Sequence, residues 1–413
     1  MYLESNKNWD IVIAGGGPAG FFAAIRCAEL NPKLSVLITE KASQALGKVL
    51  ISGGGRCNVT HACFDPAKLI TFYPRGGNEL RGAFSRFQPK DTVEWFEARG
   101  VKLKIEADGR MFPVTDSSET IAECLREAAK KAGVKVQLGA NLLRVEKSPR
   151  GGFRPEVRSE AQVFPLQTKK LLIATGSDSK TREIVRSLGH SIVEPVPSLF
   201  TFNIKDARID GLAGIAVEDV ILKMETVTAQ GSLLITHWGL SGPAVLRCSA
   251  WGARMLHERN YHAKLVVNWL GGYTTDKTLE ILTHNKEWKE NARKKVGTVP
   301  AFSQIPSRLW KQLAEFIGEK NWADVSKVEL RKLAQELTAG EFEIIGKGQF
   351  KEEFVTAGGV SLKEVDFKTM QSRVVAGLYF AGEVLDIDGI TGGFNFQSSW
   401  TTGWLAGNSL AEL

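Results

Sequence analysis

The sequence predicts an α/β protein whose principal domain is a parallel sheet that binds a dinucleotide and carries an inserted second domain. Three observations predict it. The strand Trp9-Asp10-Ile11-Val12-Ile13-Ala14 runs directly into Gly15-Gly16-Gly17-Pro18-Ala19-Gly20. A second strand, Leu34-Ser35-Val36-Leu37-Ile38-Thr39-Glu40, ends in an acid twenty positions after Gly20. Two further strand-like runs, Lys170–Gly176 and Gly377–Asp386, end in Ala-Thr-Gly and Ala-Gly-Glu on either side of a long middle segment.

Gly15 allows the tight turn, Gly17 lets the backbone approach a pyrophosphate, and Gly20 lets helix and strand pack closely. The helix opens with Pro18 and Ala19 and continues through Phe21-Phe22-Ala23-Ala24-Ile25. Its first N–H groups and positive dipole end face the phosphates. Glu40 stands where a carboxylate accepts hydrogen bonds from a ribose diol, and Lys41 joins this set. Strand, helix, second strand and acid in register are far more specific than a lone G-x-G-x-x-G.

Three later features select FAD over NAD. The strand from Lys170 ends in Ala174-Thr175-Gly176, as flavoproteins use to return the chain to the cofactor. The strand from Gly377 ends in Ala381-Gly382-Glu383, with Asp386 close behind, where the ribityl and pyrophosphate portion binds. The run Gly389 to Gln397, containing Gly392, Gly393, Phe394 and Asn395, leads into a small-residue helix, Ser398 to Ala411. The N–H groups at its start face the pyrimidine edge of a flavin. Val145 completes the binding set. No second G-x-G-x-x-G occurs, so NAD(P)H enters only as a transient reductant without its own Rossmann domain. The predicted fold class is α/β: a Rossmann-like FAD-binding domain of the two-dinucleotide-binding-domain flavoprotein type, with an inserted β-barrel plus helical subdomain.

At 413 residues the chain has room for two or three domains. Its hydrophobic fraction of 43% and charged fraction of 24% are those of a globular protein. The cysteines, Cys27, Cys57, Cys63, Cys124 and Cys248, show no C-x-x-C pair and no zinc spacing. This points to a reducing compartment and no metal. The first residues lack the apolar core of a signal peptide, and no run approaches the ~18 apolar residues of a membrane span. A soluble cytoplasmic protein is expected.

The formal net charge is +7. Residues 66–104 hold eight Lys/Arg against four acids, and residues 281–336 eleven against seven. These segments read either as a site for a polyanion such as RNA or as solvated surface. No internal repeat or low-complexity tract is present.

With "KVLISGGGRCNVT" (48–60), "DGRMFPVTDSS" (108–118), "LLITHWGLSGPAVL" (233–246), "VTAGGVSLKEVDFKTMQS" (355–372) and "GLYFAGEVLDIDGITGGFNFQ" (377–397) added to Gly15–Gly20, nearly the whole sequence resembles one family. This is the BaiN/RdsA-type, YhiN-like NAD(P)/FAD-dependent oxidoreductases. The resemblance implies FAD and the reduction of activated C=C bonds. Family members include a bile-acid-type enone reductase and a synthase that reduces a uridine in 23S ribosomal RNA to dihydrouridine. It also implies that the segment after the second strand turns under the flavin. Ser52, Gly54 and Gly55 then let the backbone lie where a Cβ would collide. Lys48 and Arg56 neutralise phosphate or flavin oxygens, and Cys57 and Asn58 flank the ring. A flexible glycine turn is the alternative. One departure is visible: Gly176-Ser-Asp-Ser-Lys180-Thr-Arg182 replaces a longer glycine-rich loop, which alters the expected substrate mouth.

The expected organisation is a discontinuous FAD domain (1–194 and 346–413) with an inserted β-rich part (195–274) and a helical part (275–345). Trp310, Leu313, Phe316 and Ile317 read as the core of the latter. A flavin reductase must orient its substrate, polarise a conjugated carbonyl and supply a proton. Cys57 is read as the proton donor or as a small packing residue. Arg110 is read as a ligand for carbonyl or phosphate, or as a surface arginine. His237 is read as a donor to substrate or as a cap for the Gly239–Gly242 turn. Asn395 is read as a flavin ligand. Three functions remain: an enzyme forming dihydrouridine in 23S rRNA, a small-molecule enone or enoate reductase, and a non-catalytic flavin-containing RNA-binding or ribosome-assembly protein.

Overall fold

The computed structural model describes residues 7–160, 162–348 and 355–412. Residues 1–6, read above for a leader, lie outside them. The chain divides into two compact units, Met1–Pro195 with Thr356–Leu413, and Val196–Val355.

The first unit is built on parallel strands β1 (Asn8–Ala14), β2 (Val36–Thr39), β3 (Lys135–Gln137), β4 (Gln167–Ile173) and β5 (Leu378–Phe380), in the order β5-β4-β1-β2-β3. Ile11, Val12, Ile13, Leu171, Leu172 and Ile173 are fully buried. They form continuous apolar runs rather than alternating ones, as expected where both faces of a sheet are covered. An antiparallel arm (Ala140–Lys147, Phe153–Ser159, Gln162–Pro165) joins the sheet where Phe153 pairs with Thr168. A separate small sheet pairs Thr60–His61, Arg110–Pro113 and Leu103–Ile105.

Helix α1 (Pro18–Leu30) follows the glycine turn, α2 (Gly47–Gly55) follows β2, and α3 (Phe394–Leu410) closes the chain. α3 begins four residues before the expected Ser398, because Gly393 enters it with φ +93°. α1 and α3 pack almost backbone to backbone. A Cβ at Gly403 would lie 2.6 Å from the Ala19 carbonyl oxygen, and one at Gly407 would lie 2.7 Å from that of Ala23. Trp400 fills the space beside Phe22 and Phe96, with ring centroids 5.2 and 5.8 Å away.

The second unit is a seven-stranded sheet with helices packed on it. Its terminal strands, Gly340–Ile344 and Gly346–Lys347, pair with Ala263–Asn268 and Phe202–Asn203. These two strands are separated only by Ile345, so the sheet curls back on itself. Leu282, Trp310, Trp322 and Leu333 from the helical part share one buried core with Val217, Leu233 and Val267 from the strands. The expected division at 274/275 is therefore not a boundary. Residues 346–348, expected in the first domain, pair within the second unit because Gly346 and Lys347 extend its sheet. Phe316 departs from the expected core: it is 38% exposed, with the Lys332 ammonium 4.2 Å from its ring centroid. Among the described residues no helix is long and apolar enough to cross a membrane.

Gly403→Ala places a methyl against the Ala19 carbonyl. It is expected to destabilise the protein by about 1–3 kcal/mol, read as a lower urea midpoint at unchanged slope. An unchanged midpoint would show that the two helices separate freely.

Candidate functional site

The predicted cofactor residues converge at the carboxyl ends of the parallel strands, where α/β sheets bind ligands. Gly15–Gly20 follow β1, Glu40 follows β2, Ala174–Gly176 follow β4, and Gly382 and Glu383 follow β5. Gly15 has φ +111°, and a Cβ there would lie 2.3 Å from the Ala174 oxygen. The Glu40 carboxylate accepts from the N–H groups of Gly16 (2.7 Å) and Ala42 (2.8 Å), which fixes the turn. Gly17 differs: a Cβ built on it meets nothing within 4 Å. It therefore faces open space beside the first N–H groups of α1, whose first turn carries no acid. Thr175 Oγ1 is buried without a hydrogen-bond partner. An open glycine backbone at a helix N-terminus and an orphaned hydroxyl fit a phosphate-bearing cofactor such as FAD.

Two of the predicted lysines already have partners. Lys41 pairs with Asp178 at 2.7 Å, and Lys48 pairs with Glu383. Asp178 also caps the helix Ser179–Ser187 by accepting from the Thr181 N–H (2.9 Å). Lys180 and Arg182 therefore sit in a helical turn rather than in the expected loop, and Arg182 donates to the Ser177 carbonyl at 2.6 Å.

α2 is broken at Ser52 (ψ 151°), Gly53 and Gly54, and Gly53, Gly54 and Gly55 all have positive φ. A Cβ on Gly54 or Gly55 meets no protein atom within 4 Å. These glycines are thus required by backbone conformation, not by crowding from the protein. Arg56 lies 4.0 Å over the Phe112 ring. It pairs with Glu106 (2.6 Å) and Asp116 (3.5 Å), and these carboxylates raise its pKa above the ordinary guanidinium value. Arg110 pairs with Asp108 (2.6 Å) and Glu106 (3.1 Å), so it meets a substrate oxygen only by exchanging a partner.

Cys57 is fully buried with φ +60°, and burial pushes its thiol up to about 12. That burial matches the packing alternative. It also keeps the thiol protonated at neutral pH, as a proton donor must be. The Asn58 amide, in the orientation that satisfies both neighbours, donates to the Thr60 carbonyl (3.1 Å) and accepts from the Gly393 N–H (3.0 Å). Asn395 exchanges two hydrogen bonds with the Gly389 backbone, at 2.8 and 2.9 Å. Its amide thus closes a loop and keeps one N–H and one lone pair for a further partner. Asp386 bonds through its N–H to the Val360 carbonyl at 3.2 Å. Val145 is buried in the antiparallel arm opposite Pro155, and these contacts do not join it to the cradle.

His237 belongs to the second unit and is exposed. Its turn is closed by Thr236 Oγ1, which accepts from the Trp238 N–H (3.3 Å) and donates to the Gly239 carbonyl (3.2 Å). Among the described residues the His237 ring makes no hydrogen bond to the Gly239–Gly242 turn that the capping alternative assigned to it.

Several contacts at the site were not read from the sequence. Asp388, fully buried, forms a double charged hydrogen bond with Arg75. Arg75 had been counted with the basic surface. Phe394 stacks on His61 (4.7 Å) and Phe72 (4.5 Å), and Tyr73 donates to its carbonyl at 2.7 Å. Gln397 Oε1 accepts from Thr60 (2.6 Å) and Thr92 (2.9 Å). The only sequence signal for this cluster was a polar glutamine at the start of an otherwise small and apolar helix.

The family model described as "HI0933-like protein Rossmann domain" matches residues 9–409. A curated ribosomal RNA dihydrouridine synthase from Haemophilus influenzae is 30% identical over 97% of this chain and 98% of its own length. A 3-dehydro-bile acid Δ(4,6)-reductase from Clostridium scindens is 28% identical over 97% and 99%. A solved 3-ketosteroid-Δ4-(5α)-dehydrogenase from Rhodococcus jostii RHA1 superposes with TM-score 0.56 at 14% identity, covering 100% of this chain and 99% of its own, and so shares the fold.

From its ordinary value of 9.0 to about 12, the Cys57 thiol ionises in the unfolded chain before it does in the folded one. The folded state then holds the extra proton, and stability falls as pH rises through that window. Cys57→Ala is expected to remove a slope of about 1.4 kcal/mol per pH unit from urea-unfolding free energies measured between pH 9 and 11. Parallel slopes in the two proteins would contradict this.

Proposed function

This chain belongs to the HI0933-like Rossmann-domain family and is an oxidoreductase; from that premise we propose that it binds FAD and uses NAD(P)H to reduce an activated C=C bond, that of a uridine in 23S rRNA. The observation that carries the reading is the end-to-end relationship to a ribosomal RNA dihydrouridine synthase, together with a glycine cradle open on the side a pyrophosphate would occupy. Bound there, FAD supplies hydride transfer to the electron-poor carbon. The residues of this chain do the rest. Gly17 and the first turn of α1 meet the phosphates, and Glu40 holds the turn and faces the ribose. Thr175 and the Lys48–Glu383 pair line the strand ends, and Asn58 and Gly393 fix the start of α3. Cys57, Arg110 and His237 are the candidates for giving a proton or polarising the uracil carbonyl.

Exposed cations without an ion pair among the described residues support an RNA substrate. They are Lys68, Arg81 and Lys102 in the first basic segment, and Lys289, Arg293 and Lys311 in the second. Much of the remaining excess is already neutralised, as in Arg75–Asp388, Arg99–Glu29 and Lys295–Glu319. The second reading, an enone reductase acting on a small molecule, is favoured by the bile acid reductase relative and needs no basic surface. A cytoplasmic location follows from an rRNA substrate.

The deciding experiment is mass spectrometry of nuclease fragments of 23S rRNA with and without the gene. One uridine is expected to lose its two extra hydrogens in the deletion strain and to regain them when purified protein and NAD(P)H are added. Unchanged rRNA would remove the RNA reading and direct the search to conjugated carbonyl compounds that reoxidise the reduced flavin.

A further inference from the structure

In the second unit, strand Val227–Thr236 turns back into Gly239–Ser241 through His237 and Trp238. Trp238 is 63% exposed, although Phe202, Ile235 and Leu240 beside it are fully buried. A single exposed apolar side chain is ordinary, but this one is held by a rigid frame. The Trp238 carbonyl accepts from the Ile204 N–H at 2.9 Å, and its own N–H is bonded to Thr236. A Cβ on Gly239 would lie 2.4 Å from the Phe202 oxygen. The strand therefore approaches its neighbour as closely as backbone allows, which holds the backbone of the tip in place.

A positive charge one residue beyond the Ile204 N–H is also uncompensated. Lys205 follows Ile204, is exposed, and makes no ion pair or hydrogen bond among the described residues. The nearest acid in sequence, Asp206, is taken on both oxygens by Arg208 (2.8 and 2.6 Å), which takes Glu336 as well (2.5 Å). His237 adds a second exposed ring whose nitrogens form no hydrogen bond among the described residues. An exposed indole on a hydrogen-bonded turn, with an exposed lysine one residue along the neighbouring strand, suits a partner that offers flat π faces and negative charge at a short repeat. Unpaired RNA has that chemistry.

We propose that Trp238 and Lys205 form a docking platform for an unpaired stretch of the RNA substrate, the indole stacking on a base and the ammonium meeting an adjoining phosphate. The proposal deepens the RNA reading above and rests on it.

The test uses the full-length holoprotein and an unmodified 23S rRNA fragment made by transcription, with a duplex RNA of equal length as control. Binding is measured across a salt series, and dihydrouridine formation is measured separately. W238A is expected to weaken binding to the fragment by about fivefold to a hundredfold, and W238F to restore most of it. K205A is expected to lower the log–log salt slope by about 0.7. Duplex binding is expected to respond little to W238A. If W238A binds and turns over the fragment as wild type does, the platform is overturned even where dihydrouridine forms. If wild type forms no dihydrouridine yet W238A loses single-strand binding, the platform stands and uridine reduction falls.

Discussion

The close approach of the last helix to the first is the constraint on which the rest of the site depends. α3 sits against the α1 backbone only because Gly403 and Gly407 present no side chain to the carbonyls of Ala19 and Ala23. That spacing brings the start of α3 to the segment after β2. Trp400 then donates to the Val59 carbonyl (2.9 Å), Gln397 bonds Thr60 and Thr92, and Asn58 meets Gly393. Arg75–Asp388 adds a charged fastening. With Asp388 fully buried, its carboxylate is stable only while the guanidinium stays in place. The glycine turn after β1, the broken helix α2 and the start of α3 thus form one framework rather than three independent loops.

Charge within this framework is paired in advance. Lys41, Lys48, Arg56 and Arg110 were each expected to meet phosphate, flavin or substrate, and each is held by a carboxylate. The cradle is therefore less cationic than a count of its basic residues suggests. Backbone N–H groups and the α1 dipole remain as the main attraction for an anion. Ion pairs of this kind also orient their cations. Glu106 pairs with both Arg56 and Arg110, and both guanidinium groups lie near the Phe112 ring. A ligand that enters exchanges one ordered partner for another and does not have to order a free side chain.

The parts legible in the sequence were those encoded locally. Strand, glycine turn, helix and terminal acid lie within about thirty residues at the N-terminus, and Ala-Thr-Gly and Ala-Gly-Glu each mark a strand end. The parallel order of the sheet follows from them. What escaped was non-local or depended on backbone conformation. Arg75 and Asp388 are 313 positions apart, and Thr60 and Gln397 are 337 apart, so no periodicity could join them. Asn395 carries a residue type suited to a flavin ligand, and its amide also closes a loop onto the Gly389 backbone, which its sequence position does not show. The strand ending the second unit continues through Ile345 to residues 346–347, a bend that composition does not reveal. His61 was passed over because its stacking partner, Phe394, comes from the far end of the chain.

The central claim is that the open side of Gly17 is where the cofactor lies, and Gly17→Val tests it most directly. With φ near −88° and nothing within 4 Å of an added Cβ, the variant keeps an ordinary backbone conformation and its Cβ meets no protein atom. The measurement is the flavin released per chain, identified by mass spectrometry, alongside the thermal unfolding of both proteins stripped of flavin. The account predicts FAD in stoichiometric amount with wild type, little or none with the variant, and matching stripped-protein unfolding temperatures. FAD retained at the wild-type level by Gly17→Val, or a wild-type protein that takes up no FAD, would contradict it.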